Sequence, residues 1–357
     1  MAGSAYVHIP FCEHICFYCD FCRMISSQKD QWLNTILKEI KEKKLPPLKT
    51  LYFGGGTPSL LEEEAFKKLA SLFSFQKEYE WTVECNPDSV STNKIKLYKE
   101  LGVNRISLGV QTFQETLLQK IGRHHTNEQV FETIRGFKQK DIDNISIDLI
   151  YALPNQTMED LKKDIEVFLS LDLPHLSIYS LQIEENSVFG KQGIKPVDED
   201  LEADMYEYIC EKLKEAGYLH YEISSFCKPN MYSRHNVVYW SDEDFYGLGL
   251  GASGKENNIR YDNTHSMKEY LEKGACPSWI ETSLEEKAYE AIMMGLRTTM
   301  GFSISDWQTK YKKDFLATYQ NVLDKYVPEY LEIDHGNCHP TQKGMEILNS
   351  ILIDFLD

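Results

Sequence analysis

The chain has 357 residues, 42% of them hydrophobic, and a formal net charge of −17 at pH 7. That length supports one large hydrophobic core with a smaller unit attached. The acidity argues against sequence-independent binding of nucleic acid, which depends on Lys and Arg contacts to phosphate, and against attraction to an anionic membrane surface.

Short β-rich runs alternate with helical patterns through the first half. Ala5–Ile9 reads as a strand, followed by a cysteine-rich loop and a helix over Gln31–Lys43. Thr50–Phe53 is the next strand, and Glu62–Phe73 a helix opened by a Ser59-Leu60-Leu61-Glu62 capping box. Strands over Trp81–Cys85, Arg105–Val110, Ile145–Ile150 and Leu176–Leu181 alternate with helices over Thr92–Leu101, Asn127–Lys138 and Met158–Leu171. Six strands each joined through a helix imply parallel pairing. A closed eight-stranded barrel needs two more repeats, and the pattern breaks after Leu181, so the expected fold is α/β with a partial (β/α)6 barrel.

Beyond Asp198 the composition shifts. Leu201–Ala216 is an amphipathic helix, Tyr218–Phe226 a seventh strand, and 228–263 a stretch rich in Gly, Asn, Tyr and Ser. Helices over Glu285–Thr298 and Asp306–Lys325, a ribbon of Tyr330–Ile333 with Cys338–Pro340, and a helix over Gly344–Leu356 suggest a small, mainly helical, winged-helix-like C-terminal unit. The expected division is a core over 1–200, an extension over 201–282 and an accessory domain over 283–357.

Cys12, Cys16 and Cys19 lie within eight residues, after the first strand. Three thiolates on one loop can hold three irons of a [4Fe-4S] cluster and leave the fourth open to a ligand. Zinc loops take paired ligands, and no second pair follows; ferredoxin spacing does not fit either. Five more cysteines are scattered singly, as Cys85, Cys210, Cys227, Cys276 and Cys338, which suits reduced thiols in the cytoplasm. No run approaches the ~20 apolar residues of a membrane span, and the first segment lacks the basic start and apolar core of a secretory leader.

Gly54-Gly55-Gly56-Thr57-Pro58 follows the second strand, at the carboxyl end where parallel β/α folds collect ligands. Glu84 ends the third strand and Gln111 the fourth, and Asp148 interrupts the apolar fifth, where a buried carboxylate needs a partner. Arg123 is a candidate cation for a ligand carboxylate.

The cysteine spacing, with an aromatic before the third, resembles the radical S-adenosylmethionine (radical SAM) superfamily. Nearly the whole chain resembles its oxygen-independent coproporphyrinogen III oxidase-like family. That resemblance implies a [4Fe-4S] cluster on Cys12, Cys16 and Cys19. It also implies S-adenosylmethionine contacts from Tyr6, Tyr18, Gly55, Gly56, Thr57, Glu84, Gln111, Arg123 and Asp148. Ala152 and Asn155 stand where the family usually has glycines, which puts the shape of that loop in question.

Two features are similar to the family's heme chaperone (HemW) branch rather than its dehydrogenase branch. The dehydrogenase typically carries a fourth cysteine two residues after the third, with a longer segment ahead of the motif. Here that position is Phe21, the motif starts at residue 12, and Cys22 is read as a free thiol. His235-Asn236-Val237-Val238-Tyr239-Trp240 matches the branch's HNxxYW signature. His235 is then a candidate ligand for heme iron, set against a role in bracing the loop. The branch implies heme and a recipient hemoprotein as partners, a homodimer and membrane docking, although no residue displays the last two. The alternative it implies is radical oxidative decarboxylation of coproporphyrinogen III.

Overall fold

A computed structural model describes residues 2–356. Strands β1 (Ser4–Ile9), β2 (Leu48–Gly55), β3 (Phe75–Cys85), β4 (Arg105–Gln111), β5 (Ile145–Tyr151) and β6 (His175–Ser180) pair in parallel, each beside its predecessor in the chain. This is the predicted partial barrel. It is extended at one edge by β7 (Leu219–Glu222) and β8 (Ser225–Cys227), which run antiparallel, and at the other by β9 (Tyr246–Leu248), parallel to β1.

The two faces of the sheet follow from side-chain alternation. Ala5, Val7, Leu51, Phe53, Trp81, Val83, Ile106, Leu108, Ile145, Ile147, Leu176 and Ile178 are buried in the main core, packed beneath helices such as Lys29–Lys43, Thr92–Leu101 and Asn127–Lys138. The alternate positions are polar: Tyr6 and His8, Thr50 and Tyr52, Thr82 and Glu84, Arg105 and Ser107, Ser146 and Asp148, His175 and Ser177. A parallel sheet covered on both faces usually reads as continuously apolar. Here the polar set forms the concave face and builds the site.

Several predicted elements differ in detail. Tyr218–Phe226 is a hairpin, not one strand, because Ile223 and Ser224 turn the chain between β7 and β8. The capping box does not form: Glu63–Ala70 starts after Glu62 without a side-chain cap, and Ser59 is buried with its hydroxyl 2.5 Å from that of Ser89. Asp306–Lys325 is three helices, Ile304–Tyr311, Phe315–Thr318 and Gln320–Tyr326, interrupted where Lys312 turns left-handed and Asp314 caps anew. The last helix also breaks, at Ile347, into Gln342–Glu346 and Leu348–Asp354.

Within 228–263, read from composition only as Gly- and Asn-rich, lie the helix Arg234–Trp240, β9, and the hairpin of β10 (Ser253–Glu256) and β11 (Ile259–Asp262), which β12 (Ser278–Ile280) joins. A second core gathers Ile292, Leu296, Trp307, Tyr311, Phe315, Leu323 and Ile351 around a sheet of β13 (Phe302–Ser303), β14 (Leu331–Asp334) and β15 (Asn337–Pro340).

Candidate functional site

At the carboxyl ends of the parallel strands lies a cavity of about 480 Å³, a size suited to a small cofactor. Its walls bring together Cys12, Cys16, Tyr18, Cys19, Gly55, Gly56, Thr57, Glu84, Gln111, Arg123 and Asp148, eleven residues singled out from the sequence. Tyr6 lies next door, its hydroxyl 3.0 Å from His8 Nδ1, in the wall of an adjoining cavity.

The cysteine loop is held to the rest of the site by two donors. Thr57 Oγ1 is 3.7 Å from Cys12 Sγ, and Arg123 Nη1 is 3.6 Å from Cys16 Sγ. Burial raises the thiol pKa of Cys12 and pushes that of Cys19 up to about 11. Arg23 and, at Cys12, Arg123 pull the other way, but burial outweighs them, so these thiols stay protonated until a metal deprotonates them. Among the described residues no three His, Cys, Asp or Glu side chains converge on a point where one ion could sit.

The glycine motif works mainly by allowing close approach. Gly55 has φ 111°, and a Cβ there would stand 2.6 Å from the His8 ring; one on Gly56 would stand 2.7 Å from the Phe11 carbonyl oxygen. Their N–H groups are already engaged, Gly55's with Glu84 Oε2 at 3.0 Å and Gly56's with the Ile9 carbonyl at 2.8 Å. The glycines therefore admit the His8 ring and the Phe11 backbone, and what the loop leaves for a ligand is the Gly56 carbonyl, which has no internal donor among the described residues.

Glu84 accepts from Tyr52 Oη at 2.8 Å as well as from Gly55. Burial pushes its pKa up to about 7, against the pull of those two donors. Asp148 accepts from Ser107 Oγ at 3.0 and 3.1 Å, and burial pushes it up to about 6. Gln111 sits at φ 70° where the β4–β5 register slips after Gly109. A left-handed non-glycine residue costs about 1–2 kcal/mol, and such strain gathers at ligand sites. Gly109 leaves room beside it, since a Cβ there would meet Arg123 Nη2 and Gln111 Nε2 at 2.9 Å. Arg123 Nη2 also donates to Asn86 Oδ1 at 2.9 Å, while its buried Nε has no partner. Ala152 and Asn155 both adopt left-handed φ, 58° and 65°, so the loop keeps a glycine-like backbone without glycine.

Sequence reasoning passed over Arg105. It is 2% exposed, lines the cavity, leaves Nε unpartnered, and its nearest hydrogen-bond acceptor is Thr82 Oγ1 at 3.5 Å. It faces both Glu84 and Asp148 and favours their charged forms. Tyr52, Ser107 and Asn86 were passed over too. All but Asn86 stand at the alternate polar positions of the strands, a period-two signal that was present in the sequence.

His235 does not fit the reading as an iron ligand. It is fully buried, with Nδ1 2.8 Å from Thr50 Oγ1 and Nε2 2.7 Å from Tyr239 Oη. Burial lowers its pKa to about 3, so it is a neutral imidazole with both nitrogens occupied. The N–H groups of Arg234 and His235 donate to buried Glu80 at 3.1 and 2.9 Å, a carboxylate at a helix start that suits the helix dipole. The HNxxYW helix thus packs beneath the polar face, and only Asn236 of it reaches the cysteine cavity.

A partial parallel β/α barrel with a three-cysteine loop after its first strand defines a radical SAM protein, and the sequence matches the Radical SAM superfamily over residues 6–168 and the HemN C-terminal domain over 282–347. Such proteins bind a [4Fe-4S] cluster and S-adenosylmethionine, and the three thiols of Cys12, Cys16 and Cys19, gathered in the wall of one cavity, fit that cluster. The chain belongs to the HemW family within this class. It is 41% identical to heme chaperone HemW of Lactococcus lactis, over 99% of this chain and 97% of the relative, and 41% identical to that of Bacillus subtilis, over 96% and 94%. The fold also matches coproporphyrinogen III oxidase (HemN) of Escherichia coli with a TM-score of 0.86 at 21% identity, over 99% of this chain and 90% of that one. No described helix is long and apolar enough to cross a membrane.

Proposed function

We propose that the protein is a heme chaperone that binds heme and passes it to a recipient hemoprotein. In this reading Cys12, Cys16 and Cys19 hold the cluster, which supplies an open iron that binds S-adenosylmethionine and can reduce it. Glu84, Asp148, Gln111, Arg123, Thr57 and the Gly56 carbonyl orient that ligand, with Tyr18 and Gly55 shaping the wall and Tyr6 approaching from the adjoining cavity. Arg105 keeps the two carboxylates charged enough to accept hydrogen bonds from it.

The observation that carries the reading is the full-length similarity to curated relatives named for heme chaperoning. Phe21, at the dehydrogenase's fourth-cysteine position, is 67% exposed and makes no core contact that would account for it. The fold shared with HemN supports a second reading, radical decarboxylation of coproporphyrinogen III. Anaerobic reconstitution followed by parallel assays of heme binding and coproporphyrinogen turnover separates them. Heme binding without turnover supports the chaperone, and turnover without stable heme binding overturns it.

A further inference from the structure

The helix Met158–Ser170 buries Leu161, Asp164, Ile165 and Phe168, the i, i+3, i+4, i+7 stripe of an amphipathic helix facing a core. One of the four is a carboxylate. Asp164 is 1% exposed, lines neither the cysteine cavity nor the adjoining one, and burial pushes its pKa up to about 6. A buried carboxylate is costly unless hydrogen bonds hold it, and the donors to this one are the three residues after Gln111. Thr112 Oγ1 donates to Oδ2 at 2.7 Å, while the Phe113 N–H and Gln114 Nε2 donate to Oδ1 at 2.8 and 3.1 Å.

Those three residues set the backbone of Gln111. The Thr112 N–H donates to the Val110 carbonyl at 2.9 Å, closing a three-residue turn around Gln111 at φ 70°, the strained form of the γ-turn. Left alone, a non-glycine residue disfavours the left-handed region about five- to thirtyfold. The Asp164 clamp works against that preference. Thr112 Oγ1, tied to Asp164, also accepts from the Gln114 N–H at 3.1 Å, and the Phe113 carbonyl accepts from Asn127 Nδ2 at 2.9 Å. Phe113 itself is buried in the main core. The turn shifts the β4–β5 register and leaves Gln111 in the wall of the cysteine cavity, with its Nε2 and Arg123 Nη2 both 2.9 Å from the point a Cβ on Gly109 would occupy. The clamping helix follows β5, the strand that carries Asp148, so it ties two strand ends of the site together.

We propose that Asp164 is a positioning residue for S-adenosylmethionine, holding the strained turn that presents Gln111 to the cavity; the inference rests on the assignment of Gln111 to that ligand above. The test measures S-adenosylmethionine affinity by calorimetry on the reconstituted full chain as a double-mutant cycle. Asp164→Ala is expected to weaken binding at least about fivefold, and Thr112→Val, which keeps the side-chain shape but removes one arm of the clamp, about threefold. Asp164→Asn keeps Oδ1 for Phe113 and Gln114 and is expected to stay within about twofold of wild type. In a Gln111→Ala background neither Asp164→Ala nor Thr112→Val is expected to add a further loss, because the side chain they position is gone. Circular dichroism melting and iron content check that each variant folds and carries its cluster; where Asp164→Ala does not fold, Thr112→Val carries the cycle. Unchanged affinity in Gln111→Ala would overturn the assignment of Gln111 and this inference with it. A weakened Gln111→Ala beside folded Asp164→Ala and Thr112→Val of wild-type affinity would overturn this inference alone. So would an equal loss from either clamp variant with and without the Gln111 side chain.

Discussion

Replacing Glu84 by Gln separates charge from shape at the floor of the cysteine cavity. The carboxylate holds two donors, Tyr52 Oη at 2.8 Å and the Gly55 N–H at 3.0 Å. A glutamine can accept from Gly55 and donate to a reversed Tyr52 hydroxyl, so the pocket stays satisfied while its titration disappears. Burial has pushed the carboxyl up to about 7, above its unfolded value of about 4.3. The sign follows: the protonated form is favoured by folding, so stability is fully present below pH ~4.3 and falls as pH rises through 7. The loss is at most about 4 kcal/mol, less where cavity water screens the charge. If S-adenosylmethionine needs the ionised form, the ionised fraction at a pKa of about 7 rises from about a tenth at pH 6 to about nine tenths at pH 8. Affinity should then rise about tenfold over that interval. Calorimetry at pH 6, 7 and 8 on the reconstituted protein should show that slope in wild type and its flattening in Glu84→Gln, with chemical melts showing a smaller loss of stability above pH 7 in the variant. Parallel slopes for the two proteins would refute the reasoning.

Four further outcomes are expected. Ala at Cys12, Cys16 or Cys19 should abolish the cluster while Cys22→Ala keeps it, as read by iron and sulfide content and EPR. Asp148→Ala should weaken S-adenosylmethionine binding with the cluster intact; unchanged calorimetry would remove that carboxylate from the site. Arg105→Met should raise the pH at which S-adenosylmethionine binding is half-maximal, because the buried cation facing Glu84 and Asp148 is gone, and Arg105→Lys should restore part of the shift. His235→Ala should cost about 2–4 kcal/mol of stability by opening a cavity and leaving Thr50 and Tyr239 without a partner. A heme-loaded sample of that variant should keep its Soret position, and a ligand-exchange spectrum would return His235 to the iron.

The order of the parallel strands and the position of the ligand crevice were legible in the sequence, because both depend on local alternation: apolar Ile106, Leu108 and Val110 interleaved with Arg105, Ser107 and Gly109 specify a strand with one greasy and one polar face whatever surrounds it. The cysteine spacing and the polar strand ends were equally visible. The hairpin of β7 and β8 and the broken C-terminal helices were not, since a two-residue turn or one left-handed Lys312 leaves the periodicity almost intact. Tertiary structure also decided what individual groups do. The N–H groups of Gly55 and Gly56 are consumed by Glu84 and Ile9, and Arg105 gains its influence only because β3, β4 and β5 bring it beside two carboxylates. His235 is the clearest case. Its sequence context offers an imidazole among aromatics, equally apt for iron or for a core, and only folding the helix onto Thr50, with Tyr239 one turn on, occupies both ring nitrogens. Motifs specify which chemistry a residue carries; burial and partners, set by residues far along the chain, specify whether that chemistry is free to act.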